Sequence, residues 1–96
     1  SSIVSEGLEI DMAGRNVYVD GEKVNMTPKE YELLFYLVEN KGIAISREQL
    51  LSNVWGYDFY GDDRTVDTHI KMLRSSLGKY RDKIVTLRGL GYKIEL

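Results

Sequence analysis

The hydrophobic pattern changes period along the chain, and each change marks an element. From Leu8 to Asp11 apolar and polar residues alternate, and Val17–Tyr18–Val19 is a β-branched and aromatic run, so both read as short strands. Ala13–Gly14–Arg15 turns the chain between them, and Asp20–Gly21 is the signal of a two-residue hairpin that returns Glu22–Val24. Together these predict a small antiparallel sheet. The period then lengthens. Thr27-Pro28-Lys29-Glu30 combines a capping box with proline at the first helical position, and Tyr31, Leu34, Phe35 and Val38 recur at helical spacing until Asn40–Lys41–Gly42. A short Ile43–Ala44–Ile45 strand follows, and Ser46-Arg47-Glu48-Gln49 is a second capping box opening a short helix with Leu50, Leu51 and Val54 inward.

Trp55 through Asp62 fits neither period: four aromatics and two glycines in eight residues predict a loop partly pinned by its rings. Asp63 is placed to cap a third helix, Arg64–Leu77, which Gly78 ends. Ile84–Arg88 and Tyr92–Leu96 then form two strands around a Gly89-Leu90-Gly91 tip. The expected class is α+β: an N-terminal antiparallel sheet, three helices and a C-terminal β-hairpin, one domain over residues 1–96.

The third helix carries the chemistry. At about 100° per residue, Val66, Ile70, Leu73 and Leu77 make one narrow apolar stripe, and Arg64, Thr68, Lys71 and Ser75 lie opposite. Met72 and Thr65 sit on one flank, Asp67 and Arg74 on the other, with Asp67 spaced to pair with Lys71. A basic, small-polar outward stripe suits the edges of bases and phosphates, since long donors reach them and short side chains allow close approach. An ordinary solvated face is the alternative, and the absence of glutamate from this helix is what weighs against it.

Charge supports the same division. The net charge of −2 hides an asymmetry: residues 1–63 carry five Lys/Arg against twelve Asp/Glu, whereas residues 64–96 carry eight against three. Such a basic segment is the footprint of a polyanion-binding element, or of a solvated basic surface. At 96 residues and 43% hydrophobic the chain can bury its own core, and it holds no run near the about 20 apolar residues a bilayer crossing requires. No basic leader precedes an apolar run, and the chain opens on Ser1 as an excised or processed fragment does. Zero cysteines exclude disulfides and thiolate chemistry and suit the cytoplasm.

Enzymatic constellations are absent from the pattern. Asp67-Thr68-His69 has the residue types of a triad, but consecutive helical positions diverge by about 100°. His69 falls at the edge of the apolar stripe, as a half-buried structural histidine does. Asp62–Asp63 reads as a helix cap rather than a divalent-ion site, and Gly89-Leu90-Gly91 lacks the following helix a nucleotide loop needs. No catalytic residue, metal or cofactor is expected.

Five blocks, Met26-Thr27-Pro28-Lys29-Glu30, Ser46-Arg47-Glu48-Gln49-Leu50-Leu51, Val54-Trp55-Gly56, Asp63-Arg64-Thr65-Val66-Asp67-Thr68-His69-Ile70 and Arg88-Gly89-Leu90-Gly91-Tyr92, closely resemble the OmpR/PhoB-type winged-helix DNA-binding domain, the C-terminal effector half of bacterial two-component response regulators. The resemblance runs from about Leu8 to Ile94. It implies double-stranded DNA as partner, arranged as direct repeats, with helix 64–77 in the major groove and the wing, 84–95, at the adjacent minor groove. It implies recognition or backbone roles for Arg64, Thr65, Thr68, Lys71 and Arg74, phosphate-side roles for Trp55 and Arg47, and wing roles for Thr86, Arg88 and Tyr92. The loop carrying Tyr57, Asp58, Phe59 and Tyr60 is the family's candidate for touching RNA polymerase, although rings tucked onto the core would explain its composition as well.

Two positions depart from the family pattern: Met72 stands where several relatives carry a second basic residue, and Lys71 where others have arginine. The receiver domain of the family is not in this chain, the isolated domain is expected to be monomeric, and no membrane contact is implied. Rival readings are a winged helix turned to protein partners, an RNA binder and, more remotely, an enzyme. A protein-docking face would show exposed apolar anchors where Arg64, Thr68, Lys71 and Ser75 sit, and an RNA binder would carry its aromatics on a stacking sheet rather than in a loop.

Overall fold

A computed structural model describes residues 2–96. Its N-terminal quarter is a four-stranded antiparallel meander, β1 (Ser2–Ser5), β2 (Leu8–Asp11), β3 (Asn16–Val19) and β4 (Glu22–Lys23), with strand order β1-β2-β3-β4. Register pairs Leu8 with Val19 and Ile10 with Val17, so Leu8, Ile10 and Val17 point together into the core while Glu9 and Tyr18 pair on the other face. Asp20 and Gly21 both take positive φ, 50° and 85°, the backbone a tight hairpin between right-twisted strands requires. The sheet gains an edge strand over the expectation, because Ser2–Ser5 pairs with β2 although its polar ends carry no clear alternation.

Helix α1 (Pro28–Glu39) starts where the capping box placed it. The Glu30 amide donates to Thr27 Oγ1 at 3.3 Å, and the Thr27 amide donates to Glu30 Oε1 at 3.1 Å. Leu34, Phe35 and Val38 are buried, and so are Leu33 and Leu37, which widens the apolar face well beyond the expected stripe. α1 is packed against α3 (Arg64–Leu77) and shares one core with the meander. Ser46 and Gln49 form the second capping box, opening α2 (Arg47–Leu50), which runs on through one π-helical turn, Leu51–Trp55, and stops at Gly56.

The strand expected at Ile43–Ala44–Ile45 is shifted and shorter. β5 is Ile45–Ser46, and it pairs with the terminal hairpin, β6 (Ile84–Leu87) and β7 (Gly91–Ile94), in a three-stranded sheet of order β5-β7-β6. A six-residue 3-10 segment, Gly78–Lys83, joins α3 to β6. Its Tyr80 hydroxyl accepts the Gly7 amide at 3.0 Å and donates to Asp20 Oδ1 at 2.5 Å, while Lys83 pairs with Glu6 and Lys79 with Asp20 at 3.1 Å. The meander is thereby tied to the segment that precedes the wing. α1, α3 and both sheets converge on one core containing Leu8, Leu34, Leu50, Leu73 and Ile94.

Gly91 shows how closely the wing sits on the rest. A Cβ there would lie 2.0 Å from the Ile45 carbonyl oxygen and 2.9 Å from Ser46 Cα, both backbone atoms of β5 that cannot swing away. Gly91→Ala is expected to separate β5 from β7 at a cost of about 2–3 kcal/mol. For a domain this small that lowers Tm by about 10–20 °C in a thermal melt followed by circular dichroism, and a Tm within about 3 °C of the parent would contradict the packing described.

Candidate nucleic-acid interface

α3 is amphipathic in the way its sequence dictates. Val66, Ile70, Leu73 and Leu77 are buried against α1 and the sheets, and Arg64, Thr68, Lys71 and Ser75 are all exposed on the opposite side. Its N-terminus differs from expectation in one residue. Asp63 has helical backbone angles and makes no side-chain cap bond; Asp62 does the work instead. Asp62 Oδ1 accepts the Arg64 amide at 3.0 Å, and Oδ2 accepts Arg64 Nε and Nη2 at 3.2 and 2.9 Å. Those hydrogen bonds from Arg64, side chain first and amide second, hold the Asp62 carboxyl below its ordinary value. The pair is exposed, so Arg64 is loosely tethered rather than locked.

Asp67 does not pair with Lys71. Its Oδ1 accepts Arg47 Nε at 2.7 Å and the Tyr92 hydroxyl at 2.5 Å, joining α2, α3 and β7 at one atom. Helical geometry allowed the local partner, but a carboxylate on the flank of α3 faces the start of α2 and the inner strand of the wing, and two donors there outcompete one flexible lysine. Arg47 uses Nε for this bond, and its guanidinium also lies beside the Tyr92 hydroxyl. On the same flank Arg74 Nη2 donates to the Ile84 carbonyl at 2.8 Å and to Thr86 Oγ1 at 2.7 Å, which fastens α3 to β6. Both guanidinium carbons, Arg47 at 6.0 Å and Arg74 at 5.8 Å, lie near the Tyr92 ring centroid.

The expected contact residues therefore separate into two groups. Thr68, Lys71, Thr86 and Arg88 are exposed, with Thr65 half-buried beside them and Arg88 at the tip of a turn closed by the Leu90 amide on the Leu87 carbonyl at 2.9 Å. Among the described residues neither Lys71 nor Arg88 has a salt-bridge or hydrogen-bond partner. Tyr92, expected at the wing surface, is instead buried, its ring in the core and its hydroxyl engaged by Asp67; burial first, then the Asp67 hydrogen bond and charge, push its pKa up. Arg47 and Arg74 are half-buried struts as well as cations.

Trp55 is half-buried at the end of the π-turn. The His69 ring meets it edge-on at 5.0 Å between centroids, and Lys29 Nζ lies 5.6 Å from its centroid. His69 Nδ1 is 2.9 Å from the Thr65 carbonyl, a structural position. In the loop beyond, Phe59 alone is drawn toward Trp55, at 6.4 Å, while Tyr57 and Tyr60 project into solvent, Tyr60 fully. The rings thus pin the loop at one point only. Among the described residues no three His, Asp or Glu side chains are grouped to hold a metal ion, and no helix is long and apolar enough to cross a membrane. The functional residue that sequence reasoning missed is Asp67 as an organiser, because its partners lie 20 and 25 residues away and no local spacing signals them.

A two-sheet, three-helix domain that turns the polar side of α3 and an adjacent β-hairpin tip to solvent is a winged helix. The chain belongs to the family described as the C-terminal domain of transcriptional regulatory proteins, which it matches over residues 21–94, the OmpR/PhoB type. It is 50% identical over 93 residues to the transcriptional regulatory protein SrrA of Staphylococcus aureus, covering 93% of this chain and 39% of that protein. Its fold matches the response regulator DrrB of Thermotoga maritima, described as an OmpR/PhoB homologue, with a TM-score of 0.89 at 32% identity over 99% of this chain and 44% of that one. It matches the RstA DNA-binding domain of Klebsiella pneumoniae, solved in complex with the RstA box, with a TM-score of 0.84 at 32% identity over 99% of this chain and 97% of that one.

The Asp67 node has a pH signature. Partial burial pushes the Asp67 carboxyl up, but hydrogen bonds from Arg47 and Tyr92, with the Arg47 charge, outweigh it and leave the pKa below the ordinary 3.8. A carboxyl whose folded pKa is depressed stabilises the fold above its unfolded pKa, and that contribution disappears as pH falls through the folded value. In urea titrations Asp67→Asn is expected to be less stable than the parent at neutral pH, with a gap that stays constant down to about pH 5 and closes toward pH 2. A gap independent of pH would show that the charge of Asp67 is not what joins the three elements.

Proposed function

We propose that this chain is the sequence-specific, double-stranded-DNA-binding output domain of a longer bacterial two-component response regulator, acting in the cytoplasm on transcription and without an enzymatic activity of its own. The chain spans 39% of the length of the SrrA relative that it matches. The observation that carries the reading is the exposed side of α3: Arg64, Thr68, Lys71 and Ser75 form an acid-free strip, with Lys71 and Arg88 unpaired among the described residues. Support comes from the RstA domain, which shares the fold over 97% of its length and was solved in complex with the RstA box.

In this reading α3 lies in the major groove, where Thr68 and Ser75 let the helix approach and Arg64 and Lys71 reach base edges or phosphates. Arg64 exchanges Asp62 for DNA at little cost, because the pair is solvent-exposed. Arg47, fixed through Nε, turns its terminal nitrogens to a phosphate, with Trp55 beside the same strand. Arg74 sets the angle between α3 and the wing rather than leaving it. The wing delivers Arg88 to the neighbouring minor groove, where narrow A·T tracts concentrate negative potential. Tandem copies on direct repeats suit the family, the isolated domain being monomeric, and exposed Tyr57, Asp58 and Tyr60, with Phe59 half-turned inward, give a surface for RNA polymerase.

Selection of binding sites from random duplex DNA, followed by titration of the winner at several salt concentrations, tests this. Five or six phosphate contacts predict a slope of log K against log salt of about −5. Lys71→Ala is expected to weaken binding to the selected site and Arg88→Ala to weaken it with relaxed A·T preference, each flattening the slope by about 0.9 where the lost contact is a phosphate. Unchanged binding in both variants would overturn the interface, and failure to enrich any site would favour a protein partner for this face.

A further inference from the structure

α3 carries five large apolar side chains, and four of them are buried. The fifth, Met72, is 37% exposed, whereas Met12 and Met26 pack against the core. At about 100° per residue it stands roughly 50° from the outward axis of the helix, on the side of Thr65. Its outward neighbours Thr68 and Ser75 are short and exposed, so among them the exposed thioether is the bulkier group. Beside the strip described above, it is the one large exposed side chain of α3 with no N–H or O–H to donate.

We propose that Met72 reads a thymine, by van der Waals contact with the C5-methyl group in the major groove; this rests on the DNA-binding reading above. A thioether cannot hold a phosphate or form the bidentate pair that selects guanine, and the thymine methyl is the apolar group that the major-groove edge offers. An unbranched, polarizable side chain with three rotatable bonds adapts to that methyl where a β-branched residue would be fixed by its χ1. Lys71 and Arg64 supply attraction that any sequence satisfies in part through its phosphates; Met72 supplies discrimination at one base pair.

The test uses the 96-residue chain and its selected duplex, replacing each thymine in turn by deoxyuridine, which removes only the methyl. At one position the parent is expected to lose affinity about three- to fourfold, the effect of exposing one methyl-sized group. Met72→Ala should lose about as much on the unmodified duplex and nothing more from uracil at that position. Repeating the selection with Met72→Arg should change the preferred base there from thymine to guanine, through a bidentate contact to O6 and N7. Equal uracil penalties in parent and Met72→Ala at every thymine would overturn the proposal while leaving DNA binding intact, as a site enriched with steep salt dependence would show. If no site is enriched, the DNA reading and the role of Met72 fall together.

Discussion

One constraint governs the rest of this molecule: α3 has a single apolar stripe and must bury it. Val66, Ile70, Leu73 and Leu77 are essentially inaccessible, and together they remove several kcal/mol worth of apolar surface from water, about 1.5–3 kcal/mol for each side chain. No other rotation of the helix recovers that. Once the stripe faces α1, whose own apolar surface is wide enough to take α3, the opposite strip of Arg64, Thr68, Lys71 and Ser75 is turned outward without any further instruction. The outward face is thus the geometric complement of the core face.

Burial fixes the rotation of α3 but not the placement of the pieces around it, which depends on a few polar ties between distant segments. Glu30, buried while capping α1, also accepts the Ser76 hydroxyl at 2.7 Å and so joins the start of α1 to the end of α3. Asp67 gathers Arg47 and Tyr92, Arg74 reaches the wing, and Tyr80 clips the meander to the 3-10 segment. Ion pairs as exposed as Arg47–Asp67 add little to net stability. Their consequence is directional: they set how α2 and the wing stand relative to α3, and hence the shape that a ligand meets.

The same ties give several cations two kinds of work. Arg47 and Arg74 are partly consumed in holding the scaffold, whereas Lys71 and Arg88 are unengaged among the described residues, and Arg64 is held only by an exposed neighbour. A surface built this way combines a pre-oriented inner set of donors with a mobile outer set. That arrangement lowers the ordering needed on binding for the first set and keeps adaptability in the second.

Local chemistry made much of this legible in the sequence. Both capping boxes, the Asp20–Gly21 hairpin, the α3 stripe, its end at Gly78 and the terminal hairpin depend on interactions within a few residues, and the sequence determined them. The outward strip of α3 followed from the same periodicity. Only the tertiary structure decided that β1 joins the meander, that β5 adds to the wing, that Asp62 rather than Asp63 holds Arg64, that Asp67 turns to Arg47 and Tyr92, and that Tyr92 is core. The physical reason is competition. A periodic pattern identifies which face is apolar, but which of several donors a carboxylate accepts, or which edge a strand pairs with, depends on what other segments bring within about 3 Å, and sequence separation carries no record of that.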